Sequence, residues 1–350
     1  MTEVFAVQDE IAAAIASELK LKFSPDAAAR TRRQPDFQAY EAYLRYLHYQ
    51  WGFTEESLRR SRECLDQAIV LDPEFALPYA GLADHHVAST VAGVRADEAM
   101  PRARELARRA LEADPDLPEA HGILGIVAGN YDRDWTEAER RFRVAIARAP
   151  VPWHVRQWYS YFFLLSVGRL EDALRGAERT IEDDPLSQVN AMALGSVLDA
   201  LGRKEEARAA FTRMLELDPQ FWWGWRQIGM HHAIHGNHAE ARECAHKAFA
   251  ISPSEAGNIG LIAGVLRNAG ESARADALLA QVPADAYGAP LARTFFHLVC
   301  GEIDAALDWA GKVVDQRNPT FFQSTIRPFQ HVLRQSPAWP ALLRKLNLTE

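Results

Sequence analysis

The chain has 350 residues, 47 acidic against 39 basic, and a formal charge of −8. That balance argues against nucleic acid as the main partner, and no apolar run approaches the roughly 20 residues of a membrane span. Three scattered cysteines, Cys64, Cys244 and Cys300, suit a reducing cytoplasm better than a disulfide framework.

Residues 3–22 read as an amphipathic helix, with Val7, Ile11, Ile15 and Leu19 on one stripe. Met1-Thr2-Glu3 opens without the basic segment of a signal peptide. Ser24-Pro25, Arg30, Arg32, Arg33 and Pro35 then break the pattern and read as a solvated linker. The expected division is a leading helix over 1–24 (the tail of a preceding domain or an N-terminal cap), a linker over 25–38, a helical array over 39–318 and a cap over 319–350.

The first unit, Ala39 to Pro73, crowds Tyr40, Tyr43, Tyr46, Tyr49 and Trp51 into its first helix. Thr54 is placed to cap the second helix. The next unit, to Pro115, runs long, with the excess expected at Val91–Pro101 between Gly93 and Pro101. In the third, Leu124-Gly125 precedes Ala138, Phe142 and Ala145, and a turn at Asp132 to Trp135 leads into Thr136-x-x-Glu139, a capping box. From there the beat is regular. Gly168, Gly202, Gly236 and Gly270 are each 34 residues apart, as are Ala173, Ala207, Ala241 and Ala275, and Pro185, Pro219 and Pro253. Gly301, Ala306 and Ala310 mark one more unit. After Pro319 the period stops, and Pro328, Pro337 and Pro340 divide a tail that ends in Leu342, Leu343, Leu346 and Leu348.

One unit shows the physics. Ala191, Leu194, Leu198 and Leu201 recur at helical spacing, and Gly202 follows as a left-handed C-cap that needs no Cβ. Glu205 and Glu206 open the second helix, where the dipole favours negative charge. Ala207 and Phe211 share its buried face, and Asp218-Pro219 stops it. Gly195 and Ala207 are small so that the two helices can approach. Such a pair leaves apolar faces uncovered and must stack on a neighbour.

A period of 34 carrying Leu-Gly, then Ala, then Pro resembles the tetratricopeptide (TPR) repeat. Longer strings are similar to one bacterial group: Val4-Phe5-Ala6-Val7-Gln8-Asp9-Glu10-Ile11, Ala80-Gly81-Leu82-Ala83-Asp84, Asp134-Trp135-Thr136-Glu137-Ala138-Glu139 and Pro337-Ala338-Trp339. They resemble the C-terminal TPR region of bacterial multidomain signalling proteins, in which a nucleotide cyclase, protein kinase or winged-helix domain lies upstream. The resemblance implies an all-α, right-handed superhelix of about eight helix pairs with a C-terminal cap. It implies a non-catalytic regulatory or interaction arm that binds protein or peptide, with no cofactor. A small-molecule sensor controlling an attached domain is the alternative, and self-association stays open.

In such an array the first helix of each pair lines the inner face. Positions 2, 5, 9 and 12 of each unit then share that face. They select Val155, Trp158 and Phe162, then Met192 and Asp199, then Trp223, Arg226 and Met230. One reading is an apolar groove with one Arg and one Asp that orient a partner helix or peptide. The other is that the tail or an insertion covers these aromatics within the chain. The Lys and Asn residues of TPR domains that clamp a terminal carboxylate are missing.

Other candidates read as structural. Gly257, Gly260 and Gly264 form a stripe that suggests close backbone approach, with residues 319–335 as the expected neighbour. His231 and His235 sit one turn apart as zinc ligands would. Gly236 ends their helix, however, and no carboxylate stands in the H-E-x-x-H manner, so no metal is expected. Asp132 and Asp134 read as turn and capping carboxylates. Arg140, Arg141 and Arg143 alternate with Glu137 and Glu139 on a solvated face. Nucleophile motifs such as G-x-S-x-G are absent, and no enzymatic activity is expected.

Overall fold

A computed structural model describes residues 34–349 apart from 52 and 148. The expected leading helix and residues 25–33 of the linker lie outside the described residues. The array begins at α1 (Phe37–Tyr49), which pairs with α2 (Glu55–Leu71). The hairpins α3 (Ala76–Ser89) with α4 (Ala96–Ala113) and α5 (Pro118–Ile126) with α6 (Trp135–Ile146) follow. Next come α7 (Trp153–Trp158) with α8 (Leu170–Asp183), then α9 (Gln188–Ala200) with α10 (Lys204–Leu217). The last three are α11 (Trp222–Ile234) with α12 (His238–Ile251), α13 (Ala256–Asn268) with α14 (Ser272–Leu279), and α15 (Ala289–Val299) with α16 (Ile303–Asp315). Two inner helices widen into π-helical turns, α5 at Val127–Asp132 and α7 at Tyr159–Leu164. The tail has its own π-helical turn at Phe322–Ile326, then the short helices α17 (Gln330–Leu333) and α18 (Trp339–Lys345). The described residues thus form an all-α repeat superhelix of eight hairpins.

The periodic residues do what their chemistry allows. Gly202, Gly236 and Gly270 turn the chain at φ of +76°, +80° and +81°, a region that penalises a Cβ. A Cβ on Gly195 would stand 2.5 Å from the Phe211 ring, so the pair closes only over glycine. Thr54 caps α2 in a reciprocal pair with Ser57. Asn190 donates to the Thr180 and Asp184 carbonyls, and Asn258, two units later, donates to those of Ala248 and Ser252. These two amides fasten α9 and α13 to the C-terminal ends of the second helices α8 and α12 that precede them.

Three local expectations change. The α6 cap is Asp134, whose carboxylate accepts from the Glu137 amide, so the helix starts before Thr136. Pro101 lies inside α4, and the long connection is confined to Thr90–Arg95. The glycine stripe meets the next hairpin rather than the tail: a Cβ on Gly260 would stand 2.0 Å from the Ala292 carbonyl oxygen, and one on Gly264 2.7 Å from Val299 Cβ. The close approach is therefore α13 against α15.

The two layers differ in burial. The second helices bury one stripe, as in α10 with Ala207, Ala210, Phe211, Met214 and Leu215. The first helices α9, α11 and α13 are buried almost all round. A helix with no solvated face is covered on both sides. The second helices account for one side, so another part of the chain lies on the inner face.

Candidate functional site

The eight residues expected to line the groove lie on inner helices, and none exceeds 8% exposure. They are not open to solvent in this structure. Val155 and Trp158 pack onto Gly122 of the preceding hairpin, where a Cβ would stand 2.9 Å from the indole. Met192 and Met230 are buried in the core, and Phe162 stands edge-on to Tyr161 at 5.4 Å. Trp223 stands edge-on to Phe53 at 5.4 Å. Arg226 is already engaged. Its guanidinium meets Glu255 at 2.6 Å and lies over the Trp222 and Phe295 rings. Glu255 also accepts from the Asn258 amide at the start of α13, so this buried pair joins successive hairpins.

Two segments cover the inner face. The first is the turn between α1 and α2. The Trp222 indole donates to the Phe53 carbonyl at 3.1 Å, and Trp51 packs on Trp153 at 5.9 Å. The second is the C-terminal segment. The Trp135 indole donates to the Leu346 carbonyl at 2.7 Å, and Arg133 donates to the carbonyls of Lys345 and Val314. Arg327 donates to the Ser166 carbonyl at 2.6 Å and to Gln330 at 2.9 Å. Gln330 in turn donates to the Ala200 carbonyl at 3.1 Å, and Gln227 donates to the Ser324 carbonyl at 2.8 Å. The tail therefore runs past the ends of α5, α7 and α9 and crosses α11 at Gln227. It satisfies carbonyls that helix ends leave unpaired. Burial, then the nearby Arg334 charge, pushes the Arg327 guanidinium down to about 10.

One polar cluster lies where the tail crosses. His231 Nδ1 is 2.8 Å from Asp199 Oδ1, and His235 Nε2 is 3.5 Å from the same oxygen. The His331 ring of the tail stacks on His235 at 5.6 Å between centroids and 8° between planes. The missing carboxylate of the sequence reading comes from α9, one hairpin back. Its signal was the beat itself, since Asp199 stands about one period before the two histidines.

Elsewhere, burial pushes the Asp84 carboxyl up to about 7, against the opposing effect of the Tyr46 hydroxyl 3.5 Å away. The Cys244 thiol is pushed up to about 12 by burial, so it is no ready nucleophile. A recess of about 140 Å³ between Arg104, Arg108, Asp132 and Arg141 is small beside the roughly 300 Å³ of small-ligand sites. No helix among the described residues is long and apolar enough to cross a membrane.

A 144-residue stretch is 28% identical to the transcriptional regulator HilA of Salmonella paratyphi A, and 27% identical to HilA of Salmonella typhimurium. The match takes 41% of this chain and 26% of the relative, so the chain spans about a quarter of the length of the curated relatives it matches. The fold is similar to the human IFIT1 dimer with PPP-AAAA and with m7Gppp-AAAA, each at a TM-score of 0.61 and 16% identity, over 91% of this chain and 76% of theirs. That likeness corrects the expectation of no nucleic-acid partner. Arrays of this fold are seen with RNA, and a net charge counts the whole chain whereas a ligand meets only a local field. Residues 191–221 match the tetratricopeptide repeat family, and the same hairpin recurs on either side of them. The chain is a tetratricopeptide-repeat protein.

Proposed function

We propose that this array is the interaction arm of a bacterial regulatory protein, a scaffold that docks a peptide segment and performs no chemistry of its own. HilA, a transcriptional regulator of which the matched stretch is only a part, supports the regulatory setting. The observation that carries the reading is the filled inner face. The tail is held as a docked peptide would be, with Phe321, Phe322, Ile326 and Phe329 as apolar anchors and side-chain donors on helix-end carbonyls. In this reading residues 319–349 are a resident ligand. A partner segment of similar make replaces them over Met230, Gln227 and Asp199.

The test is exchange. A labelled synthetic peptide spanning 319–349 is added to the wild-type chain and to an Arg327→Ala/Gln330→Ala variant. Uptake by the variant, with little by the wild type, supports a replaceable tail. If neither takes up peptide and the variant's tail keeps its hydrogen-exchange protection, the segment is a fixed cap and the reading fails. PPP-AAAA in the same anisotropy assay is the second arm. Binding of that RNA without peptide exchange assigns the scaffold to nucleic acid instead.

A further inference from the structure

We propose that Asp199, His231 and His235 form a binding site for one divalent metal ion of the zinc class. The site joins two hairpins. Asp199 sits near the end of α9, and His231 and His235 lie one turn apart on α11. Their ligand atoms all fall within 4.8 Å of one another. Metal–ligand bonds of roughly 2.0–2.1 Å in a tetrahedron place neighbouring donors about 3.3 Å apart. The observed separations from Asp199 Oδ1, 2.8 Å to His231 and 3.5 Å to His235, straddle that value. Side-chain shifts of a few tenths of an ångström would seat the ion.

Burial gives the carboxylate a need for a cation. Asp199 is fully buried and His231 nearly so, and an unpaired carboxylate out of water is heavily penalised. A plain hydrogen bond between Asp199 and His231 answers part of that need. It does not use His235, whose Nε2 is buried, turned towards the same oxygen at 3.5 Å and without a hydrogen-bond partner. An ion between the three groups engages all of them. Two imidazoles and one carboxylate suit zinc rather than magnesium or calcium, which take oxygen donors. The fourth position is left for water or for a donor from the tail, whose His331 ring already stacks on His235. An ion here would tie two hairpins together beneath the tail, whether or not that tail is replaceable.

The full chain, stripped with a chelator and dialysed, is titrated with zinc chloride by calorimetry, and with cobalt chloride by visible absorbance. The expected result is one equivalent bound at micromolar affinity or tighter, with the absorbance of tetrahedral cobalt. Asp199→Asn retains the shape of the buried group and an acceptor for His231, and His235→Ala removes a ring at the edge of the core. Each removes a direct ligand and should weaken zinc by at least the roughly 10–100-fold that loss of a supporting partner costs, and abolish the cobalt band, while circular dichroism reports an intact fold. His238→Ala/His246→Ala, at exposed positions outside the site, should bind as the wild type does. Failure of the wild type to bind one equivalent would overturn the assignment. So would binding that is unchanged in folded Asp199→Asn and His235→Ala.

Discussion

Arg327→Met tests how the tail is held, because three effects on one side chain can be weighed. A fall of the guanidinium from its ordinary value to about 10 corresponds to about 3 kcal/mol against the buried charge. Opposing it are two hydrogen bonds from a charged donor, to the Ser166 carbonyl and to Gln330, worth roughly 1.5–3 kcal/mol each. The Phe322 face beneath the guanidinium, 5.1 Å away, adds about 1 kcal/mol. The hydrogen bonds and the ring therefore outweigh burial. Methionine fills much of the same space but leaves the buried Ser166 carbonyl without its donor. The expected loss is about 1–3 kcal/mol, and it should be local. Hydrogen exchange read by mass spectrometry should show residues 319–349 losing protection while α1 to α4 keep theirs. If the variant's tail stays as protected as the wild type, or the whole chain melts together, Arg327 does not act as the clasp.

Asp84→Asn addresses the buried carboxyl near the start of the array. Its pKa is raised in the folded state, so its share of stability is complete below about pH 4 and is lost as pH rises to about 7. The asparagine variant should flatten thermal stability across that window and melt higher than the wild type at pH 8, by up to about 4 kcal/mol. Parallel pH curves for the two proteins would refute this. Trp158→Ala empties the space against Gly122 and should destabilise by about 3–5 kcal/mol in a urea melt. A loss under about 1 kcal/mol would return that indole to the ligand-facing role read from its position.

The conflict over Arg226 shows where reasoning from position stops. Its place in the repeat put it on the inner face, and it lies on an inner helix. What position could not say is that Glu255, in the connection to the next first helix, would claim it. A buried guanidinium needs a counter-charge within reach, and here it comes from 29 residues on. The histidines show the same limit in reverse. Their i, i+4 spacing was visible, but the carboxylate that gives the spacing meaning lies on the previous hairpin.

The beat of glycine, alanine and proline determined by itself that the chain makes helix hairpins, where they turn and how many stack. Each of those features needs only a few neighbouring residues: a φ that suits Gly202, a small residue facing Phe211, a cap at Thr54. Tertiary structure alone decided whether the inner face stood open. Trp135 to Leu346, Arg327 to Ser166 and Trp222 to Phe53 join residues 161 to 211 positions apart. Helix-end carbonyls accept from any donor that reaches them, so no local pattern in the chain marks which donor will arrive.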